Sequence, residues 1–83
     1  MEYKQLFATL KIMGWVNHSA TRTLLYSPPI NGMQLKVIAD TNDLFFLHAK
    51  DLDDSKHIWD GLFSRKSHTA EHVLEKINEL SKR

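Results

Sequence analysis

No cysteine occurs among the 83 residues, so whatever fold forms is held by one hydrophobic core without a covalent staple. That constraint is severe, because a domain of this length buries only about 60–65% of its unfolded surface. It also removes a disulfide framework, a thiolate zinc site and a cysteine nucleophile. With 42% hydrophobic and 25% charged residues the composition is that of an ordinary globular chain. One domain over residues 1–83 is expected.

The apolar spacing sets the elements. Tyr3, Leu6, Phe7, Leu10 and Met13 recur at helical intervals, and Gly14 followed by Trp15 suits a helix end, which predicts a helix over 2–13. Residues 16–20 are polar and read as irregular. Thr21–Ser27 is rich in β-formers and stops at Pro28-Pro29, so it reads as a strand. Met33–Asp40 alternates, with Met33, Leu35, Val37 and Ala39 on one face and Gln34, Lys36 and Asp40 on the other. Thr41-Asn42-Asp43 is a short hairpin connection to Leu44–Ala49, a strand apolar on both faces apart from His48.

A second helix is expected over 54–65, with Asp53 or Asp54 as its cap and Ile58, Trp59, Leu62 and Phe63 as its stripe. A third is expected over 68–82 after a Ser67 cap, with Ala70, Val73, Leu74, Ile77 and Leu80 inward. The expected class is α+β, a three-stranded antiparallel meander with helices packed on it, in the order α-β-β-β-α-α.

No secretion signal is expected at the N-terminus: Glu2 stands where a basic region belongs and Lys11 breaks the apolar stretch. No apolar run reaches the roughly 18–20 residues of a membrane span. These features predict a soluble, cytoplasmic chain. Net charge is +1 overall, divided as +3 over residues 1–39, −4 over 40–60 and +2 over 61–83. A near-neutral total disfavours charge-driven nucleic-acid binding, which needs a concentrated basic face.

Three motifs carry chemistry. His68-Thr69-Ala70-Glu71-His72 resembles, over five residues, the H-x-x-E-H pattern of inverted zinc peptidases, whose two histidines bind zinc and whose glutamate acts as base. The chain shows no further carboxylate ligand or substrate cleft to go with it, so a zinc-dependent hydrolase ranks third and His68 and His72 read as a solvated helix face. Asp51, Asp53 and Asp54 form an acidic cluster without the glycine and distal glutamate of a calcium loop. His48 stands on a strand with no carboxylate or nucleophile that sequence can assign to it. No catalytic centre, cofactor or metal is expected, and the chain is read as a non-enzyme.

The α-β-β-β-α order is similar to that of double-stranded-RNA-binding domains, and Ser64-Arg65-Lys66 stands before the last helix, where that resemblance implies basic residues. The alternative expectation is a small RNA- or DNA-binding module using Lys56, Arg65, Lys66, Lys82 and Arg83. An intervening helix and the glutamates 71, 75 and 79 on the last helix oppose that alternative. The leading expectation is a stand-alone protein-interaction domain of the inhibitor, antitoxin-like or anti-host regulator type, which binds and occludes another protein. Its surface would comprise Tyr26, Ile38 and Phe46, surplus apolar residues on the sheet, with Asp51, Asp53 and Asp54 facing a basic partner. Self-association into a homodimer and complete burial are the competing uses of the same patch. Trp15 and Trp59 fit the core better than an interface.

Overall fold

A computed structural model describes residues 1–39 and 44–82. The elements are α1 (Tyr3–Ile12), β1 (Val16–Asn17), β2 (Thr23–Tyr26), β3 (Met33–Ala39), β4 (Leu44–Asp51), β5 (His57–Ser64) and α2 (Ala70–Ser81). The strands form one antiparallel sheet in sequential order, β1-β2-β3-β4-β5. This corrects the expected class: the sheet has five strands rather than three, and one helix stands at each end of the described chain.

The largest correction concerns residues 57–64, expected within a helix and found as β5. β4 is apolar on both faces, which is the pattern of a central strand. Without β5 it would present unpaired backbone groups along one edge. Gly61 disfavours a helix interior, whereas Ile58, Trp59 and Phe63 favour a pleated one. Asp53 and Asp54 accordingly cap nothing. The Asp51 carboxylate accepts from the Asp53 N–H at 2.8 Å and that of Asp54 from the Lys56 N–H at 2.8 Å. Both close the turn between β4 and β5, with Ser55 in the left-handed region at φ 59°. The segment read as irregular contains β1, paired to β2 through Val16–Tyr26 and Asn17–Leu25. The expected connection at 41–43 lies outside the described residues.

α1 forms where its spacing places it. Glu2 and Gln5 make a reciprocal capping box. At the other end Trp15 N–H donates to Leu10 O and Gly14 N–H to Lys11 O, a Schellman close that requires φ of 99° at Gly14. α2 starts later than expected: Thr69, not Ser67, is its cap, accepting from His72 N–H at 3.1 Å. His68 therefore precedes the helix.

Both helices lie on one side of the sheet. Leu6 and Leu10 of α1 and Ala70, Val73, Ile77 and Leu80 of α2 share one buried cluster with Leu25, Leu35, Val37, Phe45, Leu47, Ala49 and Phe63. Tyr3 meets Phe45 edge-on at 5.2 Å, and Phe45 stacks on Phe63 at 5.4 Å. Trp59 lies across Gly61, where a Cβ would sit 2.2 Å from the indole, and Lys76 of α2 covers the ring at 4.7 Å. Both helices being on this side, no helix covers the other face of the sheet among the described residues, and that face is called the bare face below.

Candidate functional site

Strand alternation and register together determine what the bare face displays. The pairings Leu24–Ile38, Ile38–Phe46 and Phe46–Leu62 make an apolar row across β2 to β5. The pairings Tyr26–Lys36, Lys36–His48 and His48–Asp60 make a polar row beside it across β2 to β5, ended on β1 by the exposed, apolar Val16 opposite Tyr26. Phe46 keeps 44% of its surface and Leu62 keeps 54%, large values for side chains of this type. Between the rows is a shallow cavity of about 340 Å³ lined by Lys36, Ile38, Phe46, His48, Asp60 and Leu62.

The structure brings three of the six sequence-selected binding residues together on this face. Ile38 and Phe46 are direct cross-strand partners. Tyr26 belongs to the adjacent polar row, where its ring receives His18 edge-on at 4.7 Å and the Lys36 ammonium at 5.7 Å. Asp51, Asp53 and Asp54 lie at the β4–β5 end of the sheet, with two of the three carboxylates occupied in closing the turn.

The basic residues of the nucleic-acid alternative do not converge. Lys56 precedes β5 and Arg65 and Lys66 follow it, so roughly 25–30 Å of strand separates them. The Arg65 guanidinium stacks on Tyr3 and Phe7 of α1 at 5.3 and 5.8 Å, on the helix-covered side. Lys82 stands at the end of α2 and Arg83 lies outside the described residues.

The H-x-x-E-H residues are likewise dispersed in role. His68 and His72 rings lie 5.2 Å apart and both abut Phe63, while the Glu71 carboxylate pairs with the amino group of Met1.

Sequence reasoning missed a different cluster. His48, His57 and Asp60 meet on the bare face beside the cavity. One carboxylate serves both rings: Asp60 Oδ1 meets His48 Nδ1, and Oδ2 lies 2.9 Å from His57 Nε2. The hydrogen bond with His48 is the chief cause holding the Asp60 carboxyl below its ordinary value, and His57 acts in the same direction. Asp60 is thus anionic throughout the neutral range.

A register irregularity assembles this cluster. Asp60 faces His48 across the ladder, and simple alternation from there would send His57 to the helix-covered side, with Trp59 and Gly61. The ladder shifts between Ala49 and Lys50, so that Lys50 pairs with His57 and Ile58 is the extra residue. This bulge turns His57 out onto the face of His48 and Asp60. The recoverable signal was a histidine on each of two segments with an aspartate three residues after the second. It needed 57–64 to be read as a strand.

No family model, no curated protein and no solved structure matches the chain. Among the described residues no helix is long and apolar enough to cross a membrane.

Proposed function

We propose that this chain is a small binding domain that docks an apolar segment of another protein on the bare face of its sheet. The observation that carries the reading is the row Leu24, Ile38, Phe46 and Leu62, left uncovered because α1 and α2 both pack on the opposite face. An apolar row rimmed by charged groups is the pattern of an interaction surface. Phe46 is the aromatic anchor at its centre and Leu62 its outer neighbour. The rim is polar on one side through Lys36 and Lys50 and acidic at the turn that bears Asp51, Asp53 and Asp54. The acidic turn suits a partner with basic groups beside its apolar segment, because complementary charge speeds and orients encounter. Regulation by occlusion, in the manner of an inhibitor or antitoxin, is the biological role this surface supports best.

Phe46→Asp and Leu62→Asp test the reading, since both place a charge on the row and neither touches the core. Affinity capture from the source cell, after nuclease treatment, is expected to retain one stoichiometric protein on the wild-type chain and to lose it on either variant. Asp53→Lys leaves both turn-closing carboxylates in place and is expected to weaken capture and flatten its salt dependence. Retention that survives both row variants overturns the assignment of the face. Light scattering that finds a dimer broken by Phe46→Asp gives the face to a second copy instead.

A further inference from the structure

The cluster on the bare face has the composition of a metal site, and we propose that His48, His57 and Asp60 bind one divalent transition-metal ion of the zinc class. The inference does not rest on the partner-binding reading, and either can fail without the other. The ligand atoms are His48 Nδ1, His57 Nε2 and a carboxylate oxygen of Asp60, all within 4.8 Å of one another. Zinc bonds of about 2.0–2.2 Å set tetrahedral donors roughly 3.3–3.5 Å apart, so small rotations of the side chains reach that geometry. The freedom for those rotations exists, because the three side chains keep 28%, 56% and 58% of their surface.

The donor chemistry selects the class of ion. Two imidazoles with one carboxylate form a borderline nitrogen and oxygen set, which suits zinc, nickel or copper. Magnesium and calcium prefer oxygen ligands, of which this cluster has only one residue's worth. A single carboxylate is also the only negative charge among the ligands, and Lys36 and Lys50, which pair with His48 and His57 across the ladder, oppose a cation. The expected affinity is therefore moderate, not that of a structural zinc finger.

The architecture argues against coincidence. His48 comes from β4 and the other two residues from β5, so the ladder fixes their separation without relying on a flexible loop. The bulge at Ala49–Lys50 spends an unpaired residue, Ile58, and its consequence is that His57 joins the same face. Three protein ligands leave the fourth position of a tetrahedral ion open. That position borders the cavity lined by Ile38, Phe46 and Leu62, where water or a donor group from a bound molecule can complete the coordination.

The test uses the chain without a histidine tag, titrated with zinc chloride by calorimetry and with cobalt(II) by visible absorption. One zinc per chain is expected, with d–d bands of four-coordinate cobalt. His48→Ala, His57→Ala and Asp60→Asn are each expected to lower affinity about 100-fold, at least the loss that follows removal of an outer-shell partner. The double variant His68→Ala with His72→Ala is expected to bind as the wild type does. Imidazole nitrogen-15 shifts in the unmodified chain give a readout that no folding defect can mimic: Nδ1 of His48 and Nε2 of His57 should move on adding zinc. Absence of saturable binding overturns the proposal and leaves the cluster as a hydrogen-bonded cross-strand pair. Binding that follows His68 and His72, or shifts confined to their rings, overturns it in favour of the H-x-x-E-H segment.

Discussion

Phe45→Ala is expected to cost the fold about 3–5 kcal/mol, while Phe46→Ala, one residue further on, should change stability by less than about 1 kcal/mol. The two side chains leave β4 in opposite directions. Phe45 is fully buried between Tyr3 of α1 and Phe63 of β5, so its truncation opens a cavity where a helix meets the sheet. Tyr3 cannot collapse into the space freely, because its hydroxyl is tied to the His68 carbonyl. A chain of this length has roughly 4–12 kcal/mol of stability in total, and the loss is a large fraction of it. In urea, the Phe45→Ala midpoint should fall by more than about 1 M while that of Phe46→Ala stays close to the wild type. Equal losses at the two positions would mean that side chains pack on both faces of the sheet.

The second large effect is expected at Ser27, a buried polar residue at the end of β2. Its N–H still donates to the Leu35 carbonyl at 2.8 Å, but its own carbonyl accepts from the Gln34 side chain at 3.2 Å instead of returning the ladder bond to Leu35. The hydroxyl of Ser27 takes over: Oγ accepts from the buried Leu35 N–H at 2.9 Å and donates to the Pro28 carbonyl at 2.8 Å. Ser27→Ala removes that acceptor and leaves a donor without a partner next to the core. The cost is expected to be about 1–3 kcal/mol, well above that of an exposed serine. Hydrogen exchange locates it: the Leu35 amide should lose protection more than its neighbours in β3. Unchanged protection at Leu35 would show that another acceptor has replaced the hydroxyl.

These two positions show different depths of information in the chain. The spacing of Tyr3, Leu6, Phe7 and Leu10, with Gly14 and Trp15 behind them, identifies α1 almost to the residue. The strict alternation from Met33 to Ala39 likewise assigns Leu35 and Val37 to the core and Ile38 to the other side. Leu44–Ala49 is apolar on both faces, so its alternation separates Phe45 from Phe46 without saying which of them is core, although Tyr26, Ile38 and Phe46 stand out as surplus apolar surface. Whether that surface was covered could not be read, because it depends on which side α1 and α2 choose.

Residues 57–64 show why a pattern can mislead. Ile58 and Trp59 are consecutive, yet both pack against the core, and with Leu62 and Phe63 they mimic a helical stripe. A strand normally forbids consecutive inward residues. The bulge beside Lys50 permits them, and it exists only once β5 has paired with β4. Reading this segment as a helix also hid the cluster, since His48 acquires its carboxylate solely through the register that sets Asp60 opposite it.

Local periodicity, turn chemistry and composition are properties of the chain itself, and they determined α1, the alternation of β3, the two-faced apolar character of β4 and the absence of any covalent staple. The tertiary structure alone decided that β5 is a strand, that both helices share one face and that two histidines meet one aspartate on the other. The reason is physical: a strand's partners, and the face a helix covers, are set by hydrogen bonds and burial between residues far apart in sequence, and no local window contains those energies.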